Sequence, residues 1–251
     1  YNNANLEALT ILFMILASLP FVLYLKAIRG KPKDLIGDQQ VQGFFKILVV
    51  SILIVVFYLF LTSNFTFTEI LRYSLFNVTS ILTGTGFTST NYNDWGTPII
   101  LLFLFITFIG GCAGSTTCGV KIFRLQIVFN NSKEMISKLI SPNRVVNKRY
   151  NGEHLSPEIT QSVITFLFIF ILTFIVLSIL LSFTGLDLLT AFSAAATSIS
   201  NVGPGLGQVI GPAYSFSQIP EIAKWLLSFG MLAGRLEFLT LIVIFNKSFW
   251  R

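Results

Sequence analysis

The stretch from residue 159 to residue 183 carries no charged side chain. At ~1.5 Å of rise per residue, a helix of that length crosses the ~30 Å hydrocarbon core of a bilayer. Apolar runs at 6–25, 44–62, 98–129 and 220–245 extend the pattern along the chain. Composition agrees with it. Hydrophobic residues make up 53% and charged residues 11%, mean hydropathy is +0.76, and 26 residues are Phe. A soluble domain carries about 25% charged residues. This chain lacks the charge to cover a water-facing surface, so soluble enzyme folds are excluded and much of the apolar area must face lipid.

The net charge of +6 does not point to nucleic acid, because the basic residues sit between apolar runs. Loop 26–43 holds Lys26, Arg29, Lys31 and Lys33. Loop 130–157 holds Lys133, Lys138, Arg144, Lys148 and Arg149, preceded by Lys121 and Arg124. Segment 63–97 holds Arg72 alone, and 184–219 holds no basic residue. Positive charge collects on the cytoplasmic side. Five spans then alternate, with Lys247 and Arg251 at a cytoplasmic C-terminus. Residue 1 falls outside. A chain that begins there with Tyr1-Asn2-Asn3, without an initiating Met or signal peptide, reads as part of a longer protein with spans upstream. Cys112 and Cys118 form no disulfide framework or zinc pattern, and His154 is the sole histidine. There is little material for a catalytic site, and the chain reads as a non-enzyme.

An internal repeat carries most of the functional inference. Its first copy is a span (44–62), a short helical piece (68–82), the stretch Thr83-Gly84-Thr85-Gly86-Phe87, and a broken span (98–129). Its second is a span (159–183), a short piece (187–199), the stretch Ser200-Asn201-Val202-Gly203-Pro204-Gly205, and a span (220–245). Gly86 and Gly203 lie 117 residues apart, and the endings Gln126–Phe129 and Ile242–Phe245 are offset by 116. Each short piece makes about 20 Å of helix, too little to cross the bilayer. It reads as a re-entrant helix, followed by irregular backbone at membrane depth. Such backbone is tolerated only when buried in protein or lining a watery cavity. Its carbonyls suit a dehydrated cation, and the helix C-termini point partial negative charge the same way. The competing reading is two external loops flanked by interfacial helices; two copies in register favour the filter.

The span 98–129 is broken by Gly110-Gly111-Cys112-Ala113-Gly114-Ser115-Thr116-Thr117-Cys118-Gly119. Glycine costs up to about 1 kcal/mol relative to Ala inside a helix. The expectation is an intramembrane loop beneath the filter, with Ser115, Thr116 and Thr117 offering hydroxyls to its backbone. The alternative is a kinked, closely packed helix. Arg235 lies mid-span, where a charge must face the protein interior or a cavity. Glu237, two residues on, does not face it. Glu69, Arg72, Asp94 and Asp187 read as solvated external charges.

The motifs Gly110–Thr116, Asn201-Val202-Gly203-Pro204-Gly205-Leu206-Gly207 and Gly234-Arg235-Leu236-Glu237 resemble the Trk/Ktr/HKT superfamily of potassium transporters, closest to the bacterial Trk-type membrane subunit. The resemblance implies an all-α, potassium-channel-like membrane protein built from four tandem span–pore helix–filter–span repeats. Residues 1–30 would hold the inner helix of a preceding repeat and 44–130 the third repeat. Residues 131–157 would form a cytoplasmic loop and 158–251 the fourth repeat. It implies K⁺ as the transported ion, with no organic cofactor, and K⁺ held by backbone carbonyls of Thr83, Gly84, Asn201 and Val202. The filter would comprise Thr83, Gly84, Thr85, Gly86, Phe87, Ser200, Asn201, Val202, Gly203 and Pro204. One family-type glycine per repeat, Gly86 and Gly203, implies weaker K⁺ over Na⁺ discrimination than in two-glycine channel filters. The gate would comprise Gly110, Gly111, Gly114, Ser115, Thr116, Thr117 and Gly119, with Arg235 as an electrostatic brake. Thr117 and Cys118 stand where the family pattern has glycine, which bears on the flexibility of the loop. Implied surroundings are the cell inner membrane, upstream repeats of the same protein, a homodimer, and a cytoplasmic nucleotide-binding regulatory subunit docked on loop 131–157 or the C-terminal tail. The alternative is a secondary solute transporter with discontinuous helices.

Overall fold

The computed structural model describes residues 3–141, 149–235 and 247–250. Ten α-helices account for nearly all regular structure there: α1 (Ala4–Ser18), α2 (Phe21–Ile28), α3 (Lys33–Gly37), α4 (Gln39–Thr62), α5 (Phe67–Leu82), α6 (Thr97–Phe108), α7 (Ile122–Ile140), α8 (Pro157–Ser182), α9 (Leu188–Ser200) and α10 (Glu221–Arg235). One antiparallel hairpin pairs β1 (Arg149–Tyr150) with β2 (Glu153–His154). Its two-residue turn, Asn151-Gly152, has both φ positive (49° and 84°), as a tight hairpin requires.

Helix starts follow side-chain chemistry. Asp38 caps α4, its Oδ1 accepting from Gln40 N at 2.8 Å and Val41 N at 3.2 Å. Glu69 reaches back to Thr66 N at 2.9 Å at the start of α5. Asp187 accepts from Thr190 N at 3.2 Å at the start of α9. Hydrogen bonding from Thr190 holds the Asp187 carboxyl below its usual range, so the charged cap persists at neutral pH and is lost as pH falls through that lowered value. Arg72 grips Glu7 with two contacts of 2.7 Å, joining α5 to α1. Asp94 accepts from Asn91 at 2.8 Å. The four external charges expected to be merely solvated are therefore structural.

Two apolar cores correspond to the two repeats. The first gathers Phe44, Val55, Leu59, Ile70, Leu82, Ile99 and Phe103 between α4, α5 and α6. The second gathers Phe170, Leu181, Ala191, Ala195, Ile199 and Leu227 between α8, α9 and α10. The outer faces of the long helices keep large side chains uncovered: Phe57 and Phe60 on α4 are 66% and 63% exposed, and Phe168 on α8 is 66% exposed. That pattern fits lipid as the solvent on those faces. The short helices behave oppositely. Phe76–Leu82 of α5 and Ser193–Ser200 of α9 are wholly buried, so both stop inside protein rather than at a membrane surface.

Four sequence expectations need correction. Run 6–25 is not one straight span: α1 and α2 meet at 95° across Leu19-Pro20. Proline offers no N–H and forces the residue before it out of the α region, and Leu19 is extended (φ −92°, ψ 158°). Loop 26–43 contains α3 and the capped start of α4. Segment 98–129 breaks into α6 and α7 as expected, but α7 runs on to Ile140, so the first part of the expected polar loop 130–157 is helix. Among the described residues, α4 and α8 alone are single helices long and apolar enough to cross a membrane, with the bent α1–α2 pair as a third candidate. Arg144, Lys148, Glu237, the end of the last expected span and Arg251 lie outside the described residues.

The Asp187 cap yields a direct test. Asp187→Ala is expected to cost about 1 kcal/mol of stability, and Asp187→Asn, also a good cap, much less. Thermal melting of the purified full-length protein at neutral pH reads both.

Candidate functional site

After α5 the chain turns its N–H groups back on the helix end. Gly84 N donates to Ile81 O at 3.0 Å, and Ser80 O accepts from both Thr85 N (3.0 Å) and Gly86 N (3.3 Å). The end of α9 repeats the scheme. Val202 N donates to Thr197 O at 3.1 Å and Gly203 N to Thr197 Oγ1 at 2.9 Å. With the donors folded inward, the carbonyls of Thr83, Gly84, Thr85, Gly86, Asn201, Val202 and Gly203 accept no hydrogen bond among the described residues. Thr83 and Val202 are buried, Gly84, Thr85, Gly86 and Asn201 are half-buried, and Gly203 is exposed.

The two strands touch. Gly86 has φ +75°, and a Cβ there would collide with the Val202 carbonyl oxygen and stand 2.8 Å from Pro204 Cδ. Ser200, expected in the filter, belongs instead to the last buried turn of α9, and the strand begins at Asn201 in the left-handed region (φ 53°, ψ 43°). Phe87 at the other end is 57% exposed. Two asparagines missed in the sequence fix the surroundings. Asn77, fully buried in α5, donates to Ser89 Oγ at 2.9 Å, and Ser89 N returns a bond to Asn77 Oδ1 at 3.3 Å. Asn93 clasps Gly207 of the other repeat through Nδ2 (2.9 Å) and Oδ1 (3.2 Å). An Asn inside an apolar helix was a legible signal; the Asn93 clasp, spanning 114 residues, was not.

Residues 110–119 form a closed excursion between α6 and α7. A parallel bridge joins Ile109 to Val120, with Gly110 N to Val120 O and Val120 N to Phe108 O both at 2.9 Å. Inside, the hydroxyls do what the sequence suggested. Thr117 Oγ1 accepts from Gly111 N at 2.9 Å and pairs with Ser115 Oγ at 2.8 Å, and Ser115 Oγ donates to Cys112 O at 2.6 Å. Lys121 Nζ donates to the Thr117 carbonyl and, at 3.2 Å, to Thr117 Oγ1. Thr117, one of the two residues standing where the family pattern has glycine, is the hub of the loop.

The loop is also held from outside. Cys112 N donates to Ser18 O (3.0 Å), Thr116 N to Ala17 O (3.2 Å), and Phe21 N to Gly114 O (3.0 Å). Gly111 packs against this joint; a Cβ there would stand 2.8 Å from Ser18 O. Ala113 N donates to Gln40 Oε1 of α4 at 2.8 Å. The guanidinium of Arg235 reaches Thr116 O at 3.3 Å and Cys118 Sγ at 2.8 Å. A cavity of about 250 Å³ lies beside the loop, lined by Lys121, Arg124, Phe166, Phe170 and Arg235. Asn201 of the strand after α9 contacts the helix that carries Arg235: its Nδ2 donates to Met231 O at 3.0 Å, one turn of α10 before Arg235. The expected gate residues and Arg235 are thus brought together, and α10 links them to the strand after α9.

The whole chain, residues 1–251, matches the family model TrkH, cation transport protein. The Trk system potassium uptake protein TrkI of Halomonas elongata is 45% identical over 96% of this chain and 49% of its own length. The Trk system potassium uptake protein TrkG of Escherichia coli K12 is 32% identical over 100% of this chain and 51% of its own. The crystal structure of the potassium transporter TrkH from Vibrio parahaemolyticus superposes with a TM-score of 0.93 at 32% identity, covering 100% of this chain and 54% of that one. The chain spans about half the length of the curated relatives it matches. It belongs to the TrkH family of cation transport proteins.

Proposed function

We propose that this chain supplies two of four walls of a K⁺ uptake pathway, with the strands after α5 and α9 as half of a selectivity filter. The observation that carries this reading is the row of carbonyls at Thr83–Gly86 and Asn201–Gly203 that accept no hydrogen bond among the described residues. Oxygens so presented stand in for the hydration shell of a dehydrated cation. The buried C-termini of α5 and α9 add partial negative charge at the same place. Backbone oxygens of Thr83, Gly84, Asn201 and Val202 are the K⁺ ligands in this reading, and the names of the relatives support K⁺ as the ion. The remaining walls come from the upstream repeats of the full protein.

Loop 110–119 is the gate, and Arg235 is its brake. The guanidinium on Thr116 O and Cys118 Sγ fastens the loop and places a positive charge next to it, which opposes a passing cation. The basic segments and C-terminus face the cytoplasm of a cell whose inner membrane holds the protein as a homodimer. Residues 131–157, including the hairpin β1–β2, form the docking face for a nucleotide-binding regulatory subunit.

K⁺ uptake by the full-length protein, in cells lacking their own K⁺ uptake systems, tests the filter. Gly86→Ser forces a side chain into the Val202 carbonyl at a positive φ, a strain of about 1–2 kcal/mol before the collision is counted. K⁺ over Na⁺ preference is expected to fall about tenfold, and Gly203→Ser, also at positive φ (119°), to act in the same direction. Uptake indifferent to both glycines would remove the filter assignment. Arg235→Ala is expected to raise K⁺ flux per molecule about tenfold by deleting a charge-assisted hydrogen bond; unchanged flux would end the brake assignment.

A further inference from the structure

The bend between α1 and α2 and the loop 110–119 leave complementary backbone groups. In a continuous helix Phe21 N would donate to Ala17 O, four residues back. That bond is not made. Phe21 N donates instead to Gly114 O at 3.0 Å, and Ala17 O accepts from Thr116 N at 3.2 Å and Thr116 Oγ1 at 3.1 Å. Loop residues 114–116 are thus inserted between the donor and acceptor of one helical hydrogen bond. The next acceptor, Ser18 O, is taken by Cys112 N at 3.0 Å. Leu16 O, which Pro20 cannot serve, accepts from Leu19 N at 3.4 Å and from Tyr24 OH at 2.6 Å. Two interruptions at membrane depth, each costly alone, satisfy one another.

We propose that Pro20 is a positioning residue for the gate, and that the α1–α2 bend and the loop form one two-state unit. With the helix bent, the carbonyls of Ala17 and Ser18 and the N–H of Phe21 hold the loop in place. When the loop withdraws, Phe21 N and Ala17 O pair with each other as the helix straightens, and the freed loop backbone meets the water of the open pathway. Neither arrangement leaves the Phe21 N–H or the Ala17 carbonyl unpaired, so the two exchange as discrete states. Tyr24 favours the bent state, because its hydroxyl makes the shorter of the two hydrogen bonds on Leu16 O. The proposal rests on the gate reading above and adds the element that sets the gate.

The test uses the full-length protein reconstituted in planar bilayers and, separately, site-resolved alkylation of Cys112, which is fully buried in the held loop. Pro20→Ala restores the missing donor and removes the ring that blocks the helix. Open probability and the rate of Cys112 alkylation are both expected to rise about tenfold, with unitary conductance and K⁺/Na⁺ preference unchanged. Tyr24→Phe keeps the packing volume and removes one hydrogen bond, so a rise of about threefold to tenfold in both readouts is expected; it serves as the second variant if Pro20→Ala does not fold. Wild-type values of both readouts in the folded variants would overturn the coupling. A change in conductance or selectivity without a change in Cys112 alkylation would overturn it too, placing Pro20 on the pathway rather than on the gate. If the wild-type protein carries no K⁺, the function reading fails, and alkylation still decides whether the bend sets the loop.

Discussion

Backbone amides at membrane depth must find partners inside the protein, and each informative feature of this chain is a local answer to that demand. Long helices answer it internally, as α4 and α8 do. Four breaks in regular structure among the described residues carry the contrast: after α5, after α9, between α6 and α7, and between α1 and α2. In the first two, the donors fold back on the helix ends and the acceptors are left over. In the last two, the groups find each other across the fold. The difference separates what suits an ion from what suits a hinge. In the function proposed above, a strand with surplus carbonyls serves a cation, whereas a loop held through Cys112 N, Ala113 N, Thr116 N and Gly114 O is mechanically fixed.

Charge follows the same logic. Arg235, Lys121 and Arg124 would be expensive in contact with lipid. Arg235 and Lys121 donate to the loop at Thr116, Thr117 and Cys118, and the Arg124 guanidinium lies 3.7 Å from the Phe166 ring centroid. The external acids are used for capping and pairing. Little charge is decorative in a chain that has so little of it.

Much of this was legible in the sequence. The short helices were placed within about a residue of α5 and α9, because length, apolar content and the turn-rich stretch after each constrain them tightly. The glycine-rich break in 98–129 and the hydroxyls that serve it were legible for the same reason. The bend at Leu19-Pro20 was written in the chain, yet run 6–25 read as a single span because hydropathy averages over a single proline. Ser200 was drawn into the filter because composition does not mark the last turn of a helix. What stayed out of reach was pairing at a distance. Nothing local says that Thr116 will meet Ala17, that Gln40 will hold Ala113, or that Asn93 will clasp Gly207, since each depends on how the repeats pack.

The bridge between Ile109 and Val120 has one more implication. Because the loop leaves and re-enters through a single paired step, its ten residues sit outside the register that aligns α6 with α7. Within it the packed glycines Gly110 and Gly111 and the hub Thr117 are fixed by their contacts, whereas a Cβ at Gly114 would meet open space, although its φ of +73° favours glycine. The loop can therefore shift as one unit while the paired step at Ile109 and Val120 keeps the ends of α6 and α7 together.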